Sequence, residues 1–244
     1  MNWQNHLHDY CERVSPAFWA EPVNALSNAV FVLAAVIVWR TQRRTRVPVP
    51  ASLTVLVVLM AVIGVGSFVF HTVATAWSQL LDVVPIGVFV CCYLAAYLHW
   101  FWRWTWSRAW LGVLVFAGVC AATVLVFGNR SINGSLPYLP VLATLAGCTV
   151  ALALSRERER AAHWRAFALA TVLFAGALLF RTLDFAACAR FPLGTHFLWH
   201  LLNGAVLLVL SRALVAHWQR TRRSGEPGTP AATGSSDAVA HPAG

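Results

Sequence analysis

Apolar residues run along this chain in seven long blocks separated by short polar stretches. The blocks fall at about 22–40, 51–72, 79–98, 109–127, 137–154, 166–185 and 195–216. A stretch of roughly 17–22 apolar residues is long enough, as a helix, to cross a hydrocarbon core about 30 Å thick. The pattern therefore predicts an all-α bundle of seven transmembrane helices, with the two termini on opposite sides. Residues 1–21 form an N-terminal segment outside the bundle, 22–216 the bundle, and 217–244 a tail. After Arg223 the tail is rich in Gly, Pro, Ser and Ala, which cannot bury enough apolar surface to fold, so it is expected to be disordered. No internal repeat is visible.

Composition agrees with the pattern. Hydrophobic residues make up 59% of the chain and charged residues only 11%, where soluble domains carry about a quarter charged. The net charge of +9 could indicate nucleic-acid binding, but all 18 basic residues are arginine and most sit in the short segments between blocks. Arg40, Arg43, Arg44, Arg46, Arg103, Arg108, Arg156, Arg158, Arg160, Arg165, Arg220, Arg222 and Arg223 fall on one side of a seven-span topology. Arg13, Arg130 and Arg190 fall on the other. The positive-inside bias then sets the N-terminus outside and the C-terminus in the cytosol. No nucleic-acid partner is expected. Trp100, Trp102, Trp104 and Trp106 read as an interfacial aromatic belt. The first twenty residues lack the apolar core of a cleavable signal. The lack of lysine and heavy use of Ala and Arg point to a high-GC genome, hence a bacterial inner membrane.

Ionisable groups inside membrane spans are costly and usually functional. Here Ser67 and His71 close the second block, Asp82 opens the third ahead of Pro85, Arg181 and Asp184 close the sixth, and His196 and His200 open the seventh. With the N-terminus outside, all four positions lie at one depth, in the outer leaflet. His196 and His200 are four apart, so a helix stacks them on one face, the spacing by which helical histidine pairs grip zinc. With His71 they make three ligands and leave one tetrahedral position open, as in catalytic rather than structural zinc sites. A lone histidine in a span is more often a helix-linking hydrogen-bond donor; three at one depth beside Asp82 favour a metal. Arg181 and Asp184, one turn apart, read as a structural ion pair. His6, His8, His99, His163, His217 and His241 lie in termini or near loops and carry no functional reading. Cys91, Cys92, Cys120 and Cys148 read as packing residues.

Several stretches together resemble the alkaline ceramidase family. They are Asp9-Tyr10-Cys11-Glu12, the run from Ala20 to Asn28, Gly66 to Thr72, Gln79 to Pro85, Asp184 with Cys188, and His196-Phe197-Leu198-Trp199-His200. That family belongs to a wider group of seven-span membrane hydrolases that includes the adiponectin-receptor-like proteins. The resemblance covers roughly residues 9–204. It implies zinc held by His71, His196 and His200, catalytic roles for Ser67 and Asp82, and hydrolysis of a ceramide-type lipid to a sphingoid base and a fatty acid. It also implies a disulfide between Cys11 and Cys188, both on the expected outer side. Calcium bound by Asp9, Glu12 and Glu21 is a further implication. The chain departs from the family pattern there: Val14 replaces an Asn, and the interval from Glu12 to Glu21 is about two residues shorter. Glu12 and Glu21 could instead cap or bridge helices. Zinc hydrolysis of another N-acyl lipid or a lipid ester is a competing expectation, as is a non-enzymatic receptor or transporter.

Overall fold

The computed structural model of the chain describes residues 2–45, 47–128 and 131–224. Among the described residues the architecture is all helical, with seven helices long and apolar enough to cross a membrane. They are α1 (Pro22–Arg43), α2 (Ala51–Val73), α3 (Ala76–Trp102), α4 (Trp106–Phe127), α5 (Leu139–Ala153, whose span begins with the short turn at Leu136), α6 (Trp164–Ala187, whose span begins at Arg158) and α7 (His196–Ser224). The chain is a multi-pass membrane protein of the expected class.

The helix ends follow local chemistry rather than hydropathy, so several helices overrun the apolar blocks. Helix α1 starts at Pro22, whose ring is pre-set for a first turn, and is interrupted at Asn28 between the segments Pro22–Ser27 and Ala29–Arg43. Helix α2 ends where Ala74 turns left-handed (φ 47°) and its N–H reaches Phe70 O at 2.7 Å. One residue later a reciprocal cap between Thr75 and Ser78 starts α3, three residues before the apolar block begins. Helix α7 continues to Ser224, so residues 217–224, expected in a disordered tail, are helical, and His217 is buried against Phe101 (ring centroids 4.1 Å apart). An α-helix satisfies its own backbone beyond the point where apolarity fades, which explains the overrun. The rest of the expected tail, 225–244, lies outside the described residues.

Burial divides the bundle. Over its most apolar window α7 is 56% buried and α2 50%, against 6% for α4, so α2 and α7 form the interior and α4 the periphery. Helix α7 packs along α6 and α1, and α2 packs along α3 and α1. Two glycines permit the closest approaches. A Cβ at Gly204 would stand 2.6 Å from Val30, so α7 and α1 touch there; a Cβ at Gly66 would stand 2.1 Å from the Leu81 carbonyl oxygen, so α2 lies directly on the α3 backbone. The second contact sets Ser67 and Asp82, each one residue further on, at the same junction. Cys91, Cys92, Cys120 and Cys148 are free and half-buried, as packing residues.

The N-terminal segment straps one end of the bundle. Leu7 N–H donates to Ala74 O at 2.8 Å and Ala76 N–H to Asn5 O at 3.2 Å, tying the strap to the α2–α3 turn. The expected disulfide is present: Cys11 is bonded to Cys188, across 177 residues, on the connection into α7.

Candidate metal centre

His71 on α2 and His196 and His200 on α7 each turn a ligand nitrogen toward the others, all within 4.8 Å, and all three rings are buried. Among the described residues this is the one cluster of three or more His, Cys, Asp or Glu side chains able to hold a metal ion.

The hydrogen bonds around the rings determine which nitrogens are available. His71 Nδ1 lies 2.7 Å from Glu21 Oε2 and donates to that carboxylate, which leaves Nε2 with its lone pair. Ser27 Oγ donates its single proton to Asn24 O at 2.8 Å, so at the 2.7 Å contact with His200 Nδ1 the imidazole is the donor, again freeing Nε2. His71 Nε2 and His196 Nδ1 are buried with no hydrogen-bond partner. A buried imidazole nitrogen without a partner costs about 1–3 kcal/mol. Three buried imidazoles turned toward one another, with hydroxyl and carboxylate acceptors fixing two of the rings from behind, are what a resident metal requires. The donor set, three neutral imidazoles, suits zinc.

Tyr10 covers the triad. Its ring stacks on His196 (centroids 3.6 Å apart, planes 18° apart) and lies 5.2 Å from His71. Burial pushes its phenol well above the ordinary tyrosine range, and the Arg181 charge only partly opposes this, so the hydroxyl stays neutral. Tyr10, Ser27 and Trp199 were not singled out as site residues from sequence. Their neighbours in the family-like motifs were, but nothing in the position of a tyrosine well ahead of the first span announces that it will stack on a histidine at the start of the last one.

Ser67 and Asp82 are buried, at 2% and 8% exposure, beside the Gly66–Leu81 contact. The Asp82 carboxylate adds to the upward push on the Tyr10 phenol.

The acidic residues expected around calcium are not gathered into one cluster among the described residues. Asp9 accepts from Gln79 Nε2 at 2.8 Å. Glu12 accepts the backbone N–H groups of Val23 and Asn24, both at 2.8 Å, capping the start of α1; burial raises its pKa against the lowering influence of those two bonds. Glu21 pairs with the buried Arg13 and with His71, and also accepts from Asn24 Nδ2 at 3.1 Å. Burial pushes its carboxyl up, but the hydrogen bond from His71 and the hydrogen bond and charge of Arg13 outweigh that and hold it below the usual range. Arg13 itself donates to the backbone oxygens of Ser15, Ala17 and His71 (3.1, 3.3 and 2.8 Å). Glu12 thus caps α1, and Glu21 bridges Arg13 and His71.

The expected ion pair of Arg181 with Asp184 does not form. Asp184, fully buried, accepts Thr195 N–H at 2.7 Å and His196 N–H at 2.9 Å through Oδ1, and Cys11 N–H at 2.8 Å through Oδ2. It caps the helix that carries two of the histidines and clamps the strap to it. Exposed N–H groups at a helix start outcompete a side chain one turn away on the same helix.

Fold and site together define a multi-pass membrane protein with a buried three-histidine centre. Residues 4–228 match the family described as ceramidase, and the chain belongs to that family. No curated protein matches it. Membership supports an amide hydrolase acting on ceramide-type lipids over a receptor or transporter.

Proposed function

We propose that this chain is a zinc-dependent membrane amidase that cleaves the N-acyl bond of ceramide-type lipids, releasing a sphingoid base and a fatty acid. The carrying observation is the triad itself: three buried imidazoles each offering a ligand nitrogen within 4.8 Å of the others, two rings braced from behind by Glu21 and Ser27. Three protein ligands leave a position open, as catalysis requires. A zinc ion bound there supplies Lewis acidity toward an amide carbonyl and makes water a competent nucleophile near neutral pH. Asp82 takes the proton from the attacking water and returns it to the departing amine. Ser67 donates its hydroxyl to the carbonyl oxygen as negative charge develops, a contact of a kind worth about 3 kcal/mol. Tyr10 shields the triad from bulk water.

An apolar cavity of about 100 Å³, lined by Phe31, Phe89, Tyr93, Phe174 and Trp199 among others, supports a lipid substrate. Phe31 packs edge-on to His200, so the cavity begins beside the triad. Tyr138 and Val141 line both this cavity and a wider groove of about 940 Å³ along α3 and α4, a route for a hydrocarbon chain. The arginine distribution and the Cys11–Cys188 disulfide, which needs an oxidising compartment, support an N-terminus outside and a site in the outer leaflet of a bacterial inner membrane.

The test is lipidomic. Detergent-purified protein is incubated with mixed ceramides, other N-acyl lipids and lipid esters, with and without 1,10-phenanthroline, and the released acids and amines are identified. About one zinc per chain and chelator-sensitive release from ceramides is expected, with most zinc lost in His200→Ala. Full zinc occupancy after replacement of all three histidines would end the metal assignment, and release only from other lipids would end the substrate assignment.

A further inference from the structure

Arg181 is held differently from Arg13. Its guanidinium carbon stands 5.5 Å from the Tyr10 ring centroid, 5.5 Å from Tyr138 and 5.2 Å from Trp199. Its Nη1 donates to the Tyr10 hydroxyl at 2.9 Å, while its Nε is buried with no partner. Among the described residues no carboxylate lies within ion-pair distance, and Asp184 is committed to three backbone amides. Three aromatic faces attract a guanidinium and fix its plane, but beyond the one Tyr10 hydroxyl they offer its five N–H donors no acceptor. Arg181 also lines the groove of about 940 Å³, whose walls are apolar along Leu80, Val83, Ile86 and Phe116 and polar at His8, Asp9, Gln79 and Asn133, and which shares Ile86, Phe116, Tyr138 and Val141 with the cavity beside the triad.

We infer that Arg181 is the receptor for a carboxylate at the head of a single-chain lipid lying in this groove. Under the hydrolase reading proposed above, on which the identity of the ligand rests, this is the fatty acid released from the amide. A planar fork of donors matches a carboxylate geometrically. Arg181 is the one arginine among the groove's lining residues, which also include the Asp9 carboxylate, so the local charge suits a monoanion and not a phosphate dianion. Cleavage of a neutral amide creates that negative charge, so Arg181 distinguishes product from substrate, and the released acid is expected to inhibit the enzyme by retention in the groove.

The experiment measures binding of hexadecanoic acid, hexadecan-1-ol and hexadecyl phosphate to the zinc-loaded protein in detergent, for the wild type, Arg181→Gln and Arg181→Lys. Loss of a charge-assisted hydrogen bond predicts that Arg181→Gln weakens hexadecanoic acid by at least about tenfold and leaves the alcohol within about twofold. Arg181→Lys, which keeps the charge without the fork, falls between. Equal losses for acid and alcohol, or an unchanged acid, overturn the inference, as does a loss confined to the phosphate. If Arg181→Gln does not fold, Arg181→Lys decides: weakened acid with unchanged alcohol supports the inference, and wild-type affinity for the acid overturns it. Binding is read without turnover, so a failure to hydrolyse ceramide with acid binding intact would count against the proposed function alone.

Discussion

Glu21 Oε2 lies 2.7 Å from His71 Nδ1, bringing a residue at the foot of α1 behind a histidine fifty positions later on α2. The carboxylate sets the histidine's tautomer and orientation and so would support a metal held by the triad without being a ligand. Glu21→Gln is expected to lower zinc affinity by about 10–100-fold. It also leaves the buried Arg13 charge unpaired, so the melting temperature should drop as well. Ser27→Ala is the cleaner probe, since Ser27 is bonded to His200 and to Asn24 O but to no charge. It should lose zinc affinity by about tenfold at a stability cost of about 1 kcal/mol. Competition with a zinc-sensitive chelator reads both, and wild-type affinity in both variants would mean that these contacts do not support the metal.

Gly66 separates binding from chemistry. A Cβ there would meet the Leu81 carbonyl oxygen at 2.1 Å, and backbone cannot yield as a side chain does, so α2 and α3 must part. The histidines sit on α2 and α7, but Asp82 sits on α3. In Gly66→Ala zinc content should hold near one per chain, while a displacement of about 1 Å costs on the order of 100-fold in rate. Gly147→Ala, where nothing lies within 4 Å, is the control and should leave both unchanged. Loss of zinc in parallel with activity would show that the contact holds the triad instead.

Much of this arrangement was legible in the sequence because it is written in local terms. Seven apolar blocks define seven helices whatever their packing, and His196 and His200 share a face because they are four apart. The triad needed one further step, that block ends alternate between the two ends of a bundle. What escaped were contacts made by the N-terminal strap, where neither spacing nor periodicity relates Tyr10 to His196 or Glu21 to His71. Asp184 was misread for a related reason. Its neighbour on the helix, Arg181, is visible in sequence, whereas the unsatisfied N–H groups of Thr195 and His196 face it only once the connection after α6 has folded back.

That placement makes Asp184 a stability residue. Asp184→Ala strands three N–H donors, two buried and one partly buried, at about 1–3 kcal/mol for each buried one, and should fail to fold or melt far lower. Asp184→Asn keeps one acceptor oxygen and should be intermediate, with a rate constant per zinc-loaded molecule close to wild type. A catalytic role would give the opposite result, with unchanged melting and a collapsed rate in Asp184→Asn.

The Arg13 guanidinium bears on calcium. It pairs with Glu21 and binds three backbone oxygens, including that of His71, so the cationic centre that organises this end of the strap is covalently part of the chain. A divalent ion would have to displace a buried, hydrogen-bonded arginine and then find ligands among Asp9, Glu12 and Glu21, whose oxygens are engaged with Gln79, two backbone amides, and Arg13 with His71. Activity and melting temperature should therefore be the same in excess calcium and in a calcium-selective chelator such as EGTA, once zinc is replenished. Arg13→Ala should be destabilised by about 3–5 kcal/mol, because it leaves the Glu21 charge buried with only His71 to oppose it. A calcium-dependent rise in the melting temperature of the wild-type protein would show that the segment rearranges to bind the ion, and Arg13 would then no longer be the cation that organises the strap.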